Sequence, residues 1–428
     1  MTTSGGLTLT ISKTLNGISV ERKVLGILRV SDFNVRGVPV KASAAEVTAG
    51  TDDAKFVTAK GILDSVNVPN VAPGPSGNSM TSNGLEWVSA AVSIVLPSLF
   101  ERDTRITGGA STSATTRRTL VVTPASSTIA INVNGALRTI PASTSLDLNT
   151  AGNWDSASYA TAANRAGKNI YLYACENGGA SAPLLILSAN ATAPASGTTP
   201  RRVGGFHCLC VDVGTIAGHT LTGYIVGDIL PQSVWDLKWK PKNITPEGMV
   251  YSPSANIWVD IYLLNSSYTS TYATGAGALV SIDWMAFVDG AGSVGKRLLR
   301  DFEFQLVAAG GNEQTNIAGS AWVTSRGGHV DTASRRMISN IGCEDCAGLI
   351  WQWLDGQSYW YAAPAEGWFA TEGSKGQMYL QSSRGDAKFL AGGEWDNGVH
   401  CGSRSRNAYH YRWNADASIG ARAGAEPG

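Results

Sequence analysis

Charged side chains are scarce in this sequence. Asp, Glu, Lys and Arg account for 15% of its 428 residues, and 33 basic side chains balance 33 acidic ones, so the formal net charge is +0. A chain without net charge has no strong electrostatic attraction for nucleic acid or for an anionic membrane surface. The composition therefore argues against both as partners.

Long apolar runs are also missing. The longest, at residues 87–100, contains serines and Pro97 and is too short to span a bilayer. The first residues show no basic segment followed by an apolar one, so no secretory signal is visible. We expect no membrane insertion, and synthesis in a cytoplasm.

Cysteine and histidine are few and scattered. The 6 cysteines are too few for a disulfide framework, so reduced and buried thiols are expected. Cys343 and Cys346 have the spacing of a metal or redox pair, but no second pair completes a zinc site. Whether they pair or bind metal stays open. His207 and His329 are expected to be satisfied core or loop histidines, and we predict no cofactor and no metal.

Small residues, in contrast, are abundant. The sequence has 49 glycines, many Ser, Thr and Ala residues, and a hydrophobic share of 43%. This composition favours turn-rich β structure with enough apolar surface for a core. A chain of this length suits two to four domains.

The first half of the chain predicts all-β modules. Residues 1–62 alternate apolar and polar side chains and are interpreted as a β-rich attachment or oligomerisation segment. Residues 63–110, rich in proline and glycine over 66–83, are interpreted as a linker and connecting segment. Short apolar runs between turn residues predict a small β-sandwich spacer over 111–200. Residues 44–58 resemble a short segment found in many phage tail-fibre proteins.

The second half differs, because tryptophans concentrate there and helical patterns enter. The residue pattern predicts helices over 283–294 and 296–311, with strands at 248–251 and 257–262. Residues 201–428 are therefore predicted to be one α+β domain.

Five separated motifs in this half agree in order with a known fold. Gly248-Met249-Val250-Tyr251, the segment from Gly295, Ala347 to Trp353, Ala391 to Trp395, and Ile419 to Arg422 resemble the formylglycine-generating-enzyme type of C-type lectin fold. The segments Cys401-Gly402-Ser403-Arg404 and Tyr411-Arg412-Trp413 resemble variable proteins of diversity-generating retroelements, including phage tropism determinants. The resemblance implies an α+β C-type lectin fold preceded by the all-β, β-sandwich or fibre-like modules.

In that family a retroelement rewrites adenines of a template, so Asn codons in the last stretch become codons for other residues. The resemblance implies a variable binding face within residues 388–423. The residues predicted to face the ligand share polar or aromatic side chains reachable from an Asn codon: Glu394, Asp396, Asn397, His400, Asn407, Tyr409, His410, Asn414, Asp416 and Ser418, with Val399 and Ser405 as further candidates.

A face that accepts changing side chains needs a backbone held by other groups. We expect buried or hydrogen-bonded framework roles for Gly392, Gly393, Trp395, Gly402, Arg404, Arg412, Trp413, Gly420 and Arg422. Core packing is expected for Trp351, Trp353, Trp395 and Trp413. Asp396, His400, Tyr409, His410, Asp416 and Ser418 should share one exposed face.

The resemblance implies recognition without chemistry. The predicted function is host attachment at a phage tail-fibre tip: the virion protein would bind a cell-surface receptor, protein or glycan, join tail fibre or baseplate proteins, and form a homotrimer. The alternative is a formylglycine-generating-enzyme-like oxidoreductase acting on protein cysteine, which needs two neighbouring thiols. Only Cys401 lies in the displayed stretch. Leu349 and Gln352 replace the calcium ligands of the enzyme relatives, so calcium there should be absent or weak.

Overall fold

The computed structural model describes residues 8–15, 18–25, 78–82, 87–91, 105–242, 244–319, 325–358, 367–370, 374–380 and 387–428. The chain divides into two compact units, Met1–Ile94 and Val95–Gly428. None of the described helices is long and apolar enough to cross a bilayer.

The first unit contains two antiparallel hairpins. Strand β1 (Thr8–Leu15), which contains most of the first strand predicted from alternation, pairs with β2 (Ile18–Leu25). Strand β3 (Asn78–Ser82) pairs with β4 (Trp87–Ala91). The prediction that residues 66–83 form a linker without regular structure is therefore wrong for its last residues. Strand β3 starts beyond Pro75, the last proline of this stretch, so each residue of the strand can donate its N–H to the ladder. The tail-fibre-like segment 44–58 lies outside the described residues.

The second unit begins with a β domain. Its strands are β5 (Thr107–Gly108), β6 (Thr119–Val121), β7 (Ile129–Val133), β8 (Ala136–Ile140), β9 (Ser145–Asp147), β10 (Asn169–Glu176), β11 (Leu184–Ser188), β12 (Thr198–His207) and β13 (Trp235–Asp236). They form a β5-β6-β9 sheet, a β7-β8 hairpin and a β11-β10-β12-β13 sheet around one apolar core. The short helices are α1 (Ala114–Arg117) and α2 (Ala162–Arg165).

The predicted boundary between residues 200 and 201 needs correction. It falls inside β12, and the sheet continues to β13 at Trp235–Asp236. The apolar pattern from residue 204 onward belongs to a strand that pairs with β10 of the same sheet, so it does not start a new domain.

His207 lies where the β domain meets the C-terminal domain. Its ring nitrogens contact Asn169 Oδ1 at 2.7 Å and the Tyr262 hydroxyl at 2.9 Å, and its side chain is buried. The prediction of a satisfied core histidine is confirmed. Burial lowers the pKa of His207 to about 3, because the charged ring cannot be solvated there.

This burial predicts acid lability. As pH falls from about 6.5 toward about 3, only the unfolded state takes up the His207 proton, so stability present above pH 6.5 is progressively lost. Between pH 6.5 and pH 5 we expect a loss of about 2 kcal/mol from this residue. Urea unfolding at both pH values should show a smaller loss in His207→Gln than in the unmodified chain. Equal losses in both proteins would contradict this assignment.

The C-terminal domain holds two larger sheets. One has the order β14-β15-β25-β17 and the other β20-β21-β23-β22-β19-β24, with β16-β18 as a separate pair. The strands are β14 (Met249–Ser252), β15 (Ile257–Asp260), β16 (Ala273–Thr274), β17 (Arg297–Leu298), β18 (Ser325–Arg326), β19 (Trp351–Ser358), β20 (Gly367–Ala370), β21 (Gln377–Leu380), β22 (Ala387–Gly392), β23 (Gly402–Asn407), β24 (Ile419–Ala421) and β25 (Ala423–Ala425).

Two helices pack on these sheets. Helix α3 (Trp284–Ser293) begins where the Asp283 carboxylate accepts the Ala286 N–H, as the pattern over 283–294 predicts. Helix α4 (Asp301–Val307) is shorter than predicted. Arg297 and Leu298 pair with β25 before the helix starts, and Glu303 then accepts the N–H of Arg300. Residues that were predicted to form the first turn of this helix therefore pair in the sheet instead.

Arg422 joins the two sheets at their centre. Its guanidinium is fully buried and donates to the carbonyl oxygens of Asp260, Ile261 and Glu344 and to Gln352 Oε1. Five N–H donors in a fixed fork can satisfy several carbonyls that no strand pairs. The framework role predicted for Arg422 is confirmed.

Candidate functional site

Two tryptophans of β19 form the floor of the candidate site. Trp351 and Trp353 are buried and belong to one apolar cluster with Leu390, Ile419 and Ala421, as the sequence predicts. Because they are two residues apart in a strand, their side chains leave the sheet on the same side. We call the loop residues 394–400 and 408–418 around them the candidate face.

The first part of the candidate face is acidic. The Glu394 carboxylate hydrogen-bonds with the side chains of Ser418 and Trp351 and is close to Asp396 and Asp416. Burial raises the pKa of Glu394, and the neighbouring Asp396 and Asp416 charges add to this. Four of the predicted ligand-facing residues are thus brought together above Trp351.

A stack of rings connects this part to His400. The His400 ring lies parallel to Trp368 at 4.2 Å, and Trp368 stacks on Trp351 at 6.1 Å. Tyr379 meets Trp368 edge-on at 5.2 Å. The sequence analysis missed Trp368 and Tyr379, because both lie outside the motifs that carry the resemblance. The run of aromatic residues that ends at Trp368 and Phe369 was the available signal for Trp368.

Tyr409 and His410 approach the other tryptophan. His410 meets Trp353 edge-on at 6.5 Å, and Tyr409 meets His410 at 5.2 Å. The Lys388 N–H donates to the His410 carbonyl at 2.9 Å, and the Lys388 ammonium lies 4.2 Å from the Trp284 ring centroid. These contacts hold the loop after β23 to the sheet.

Several predicted ligand-facing side chains also shape the loops. The side-chain oxygens of Asn397, Asn407, Asn414 and Asp416 accept the main-chain N–H groups of Glu394, Tyr409, Tyr411 and Ser418. Asn407 is only 8% exposed and Ser405 is fully buried. The prediction that Asn407 and Ser405 face the ligand is therefore corrected. Both residues lie in β23, which pairs with β21 and β22 inside the sheet, and both side chains are buried.

The framework role expected for Trp413 is wrong. Its side chain is 59% exposed and stacks on Tyr411 at 4.9 Å with an interplanar angle of 5°. It lies in the loop between β23 and β24, where none of the described elements covers it, and Arg412 beside it is also exposed. Trp395 is half-buried against the core. The polar residues on both sides of Trp413 were the signal for exposure.

Three exposed apolar side chains belong to the candidate face: Val399 at 60%, Tyr409 at 41% and Trp413 at 59%. Two of the three are aromatic, and aromatic side chains are enriched in binding surfaces. The candidate face therefore combines exposed rings with the carboxylates near Glu394.

The framework glycines fill positions that a side chain could not. Gly392 and Gly393 have φ of +96° and +86°, and a Cβ on Gly393 would lie 2.8 Å from Cys401 Sγ. A Cβ on Gly392 would overlap the Cys346 carbonyl, and one on Gly402 would overlap Glu313. The backbone under the candidate face thus depends on glycine at these positions.

Gln352 is used entirely inside the protein. Its Nε2 donates to the carbonyls of Asp345 and Cys346 at 3.0 Å each, and its Oε1 accepts from Arg422. Its side chain therefore cross-links the segment at Asp345 and Cys346 to Arg422. Among the described residues, no group of three or more His, Cys, Asp and Glu side chains is arranged to hold a metal ion.

The cysteines are free thiols in buried positions. Burial raises the pKa of Cys401 to about 12, with the charges of Glu394 and Asp396 acting in the same direction. Burial also raises the pKa of Cys343 well above its usual value. A protonated, enclosed thiol is a poor nucleophile.

Comparison with known proteins agrees with this geometry. The family model described as Mtd second domain matches residues 112–236. The chain is 30% identical over 283 residues to a tail fiber receptor-binding protein of Bordetella phage BPP-1, over 60% of this chain and 70% of that protein. The chain belongs to the major tropism determinant family.

Solved structures of the major tropism determinant family show the same fold. The U1 variant has 27% identity and a TM-score of 0.54 and covers 72% of this chain and 81% of its own. The P3c variant has 26% identity and a TM-score of 0.54, covering 76% and 82%. The predicted C-type lectin fold in a mostly β chain with few helices is confirmed. The matched residues 112–236 also end with β13, where the structure places the end of the β domain.

Proposed function

We propose that this chain is the receptor-binding protein of a phage tail fibre and that its candidate face attaches to a host-cell surface ligand. The exposure of Tyr409 and Trp413 in the loop after β23 carries this proposal, and the carboxylates around Glu394 belong to the same candidate face. Exposed aromatic side chains supply large contact area at low entropic cost, and they dominate the energy of many interfaces. The relative from phage BPP-1, a tail fiber receptor-binding protein, supports the assignment.

The ligand-facing set proposed for this surface is Glu394, Asp396, Asn397, His400, Tyr409, His410, Asn414, Asp416 and Ser418. Retroelement-driven variation of such residues requires a scaffold that does not depend on them. Arg422, Gln352 and the glycines at 392 and 393 meet this requirement, because their contacts are with backbone or core groups. Exposed side chains such as Tyr409 can then change while the sheets remain, whereas replacing Asn397, Asn414 or Asp416 would also alter the loops whose N–H groups they accept.

We propose that the remaining modules present the candidate face to the host cell. The N-terminal hairpins attach the chain to tail fibre or baseplate proteins in the virion, the β domain spaces the C-terminal domain outward, and a homotrimer presents several candidate faces together. Several weak sites on one particle bind a cell far more tightly than one site alone. The oxidoreductase alternative finds no support from the receptor-binding relative or from the buried, protonated Cys401.

Attachment can be tested directly with purified full-length protein. Fluorescently labelled chain is incubated with a panel of bacterial strains, and we expect saturable binding to a few of them. Excess unlabelled chain should displace the label. Equal binding to all strains, or none to any, would contradict the proposal. Sequencing the neighbouring DNA for a reverse transcriptase and a template repeat tests the retroelement separately.

A further inference from the structure

The thiols of Cys343 and Cys346 lie next to each other inside the C-terminal domain. The two cysteines are separated by two residues, which is the spacing of CxxC redox pairs. Both side chains are buried, and their thiols are hydrogen-bonded to each other. The Cys346 Sγ also lies 3.9 Å from the Cys343 carbonyl oxygen. The structure therefore brings together two sulfur atoms whose pairing the spacing alone left open.

The backbone around the two cysteines is held by hydrogen bonds. The Cys343 N–H donates to Ser339 Oγ at 3.0 Å, and the Cys343 carbonyl accepts the Ser339 N–H at 2.8 Å. The carbonyls of Asp345 and Cys346 both accept from Gln352 Nε2 at 3.0 Å. Because these bonds fix the backbone at both cysteines, the contact between the thiols belongs to the folded domain.

The two thiols differ in acidity. The hydrogen bond from the Cys343 thiol lowers the pKa of Cys346, and the nearby Arg422 charge acts in the same direction, whereas burial and the charges of Glu344 and Asp345 oppose them. Burial raises the pKa of Cys343, and its hydrogen bond to Cys346 adds to this. In a thiol pair of this kind the more acidic sulfur attacks and the other completes the disulfide. Cys346 is therefore the expected nucleophile.

We propose that Cys343 and Cys346 form a peroxide-reactive pair that closes to a disulfide. The Cys346 thiolate attacks one oxygen of hydrogen peroxide, the O–O bond breaks and hydroxide leaves, which gives a sulfenic acid at Cys346. The Cys343 sulfur then attacks the Cys346 sulfur, the S–O bond breaks, and the hydroxide leaves with the Cys343 proton as water. The two thiols are oxidised, and one molecule of peroxide is reduced to water. Hydrogen peroxide is small, so it suits a buried sulfur better than a bulky disulfide oxidant does.

The disulfide would form beside the framework of the candidate face. A Cβ on Gly392 would overlap the Cys346 carbonyl, so the backbone at Gly392 packs directly against this segment. A covalent ring across 343–346 restricts the unfolded chain and thereby favours the folded segment. Peroxide reactivity itself does not depend on a receptor.

The test exposes the folded full-length chain to hydrogen peroxide, blocks the remaining thiols with iodoacetamide in denaturant, and maps the peptides by mass spectrometry. We expect a disulfide within the peptide that contains both cysteines, seen as the loss of two hydrogen atoms in mass and reversed by a reducing agent. The internal comparison is the other cysteines, because burial raises the pKa of each thiol: Cys175, Cys208, Cys210 and Cys401. Their oxidation should be slower by about tenfold or more, since the thiolate is the reacting form.

Two variants separate the roles of the two sulfurs. Cys343→Ser should stop at the Cys346 sulfenic acid, which dimedone labels, whereas Cys346→Ser should leave Cys343 reduced. Thermal melting of each variant confirms folding. Absence of the Cys343–Cys346 disulfide in the treated wild-type chain overturns the proposal, and so does oxidation of Cys175 at the same rate. Dimedone labelling of Cys343 in folded Cys346→Ser contradicts the assignment of Cys346 as the attacking sulfur.

Discussion

Replacing Arg422 by alanine is expected to destabilise the C-terminal domain by at least about 4 kcal/mol. The substitution leaves the buried carbonyls of Asp260 and Glu344 and the Gln352 Oε1 without the Arg422 donor, whereas the Ile261 carbonyl keeps the Glu344 N–H, and it opens a cavity at the junction of the two sheets. A loss of this size is a large part of the stability of an ordinary domain. Urea unfolding followed by tryptophan fluorescence measures it.

Arg412→Ala is the matched control, since it removes the same side chain from an exposed position ten residues earlier. We expect a change of at most about 1 kcal/mol, because water can solvate the groups around an exposed side chain. Arg422→Lys should recover only part of the loss, because an ammonium cannot reach all of the acceptors that the planar fork reaches. An Arg422→Ala protein within about 1 kcal/mol of the unmodified chain would show that the carbonyls find other donors.

Replacing Trp413 by alanine is expected to weaken attachment to the best-bound bacterial strain by about 30-fold or more, with little change in stability. Central aromatic residues of interfaces cost about 2 kcal/mol or more when truncated, which corresponds to this factor. The side chain is 59% exposed and contacts Tyr411, so few folding contacts are lost. Tyr409→Ala should act in the same direction. Titration of labelled protein on cells measures both.

Phe302→Ala supplies the control for this experiment. Phe302 is 52% exposed on helix α4 and lies outside the candidate face. Its loss should leave attachment unchanged, since exposed apolar side chains away from an interface contribute no binding contact. If Phe302→Ala weakens attachment as much as Trp413→Ala does, the receptor contacts another surface and the candidate face is wrongly placed.

The framework residues were predictable from the sequence to different degrees. Gly392 and Gly393 were identified because small residues recur beside Trp395, and the structure shows positive φ at both. Arg422 was predicted to be framework, but its four acceptors come from residues 70 to 162 positions away. The local sequence pattern indicates that a residue belongs to the framework, whereas its hydrogen-bond partners depend on which strands lie next to it.

For Trp413 and Asn407 the burial predicted from the sequence was wrong. Tryptophan favours the core and asparagine favours the surface, so residue type predicted a buried ring and a displayed amide. In the structure the ring is exposed on a loop and the amide is covered within β23. Burial depends on whether another element packs over a position, and no property of one side chain contains that information.

By itself the sequence determined the β-rich character of the chain, which follows from alternation and turn residues that are local along the chain. The resemblance of its ordered motifs to a known family supplied the C-type lectin fold of the C-terminal half and the prediction of the stretch that carries the binding residues. Only the tertiary structure decided the boundary near Asp236, the exposure of Trp413 and the gathering of Glu394, Asp416 and Ser418 above Trp351. Those features arise from contacts between segments far apart in sequence, and such contacts form only when the sheets are assembled.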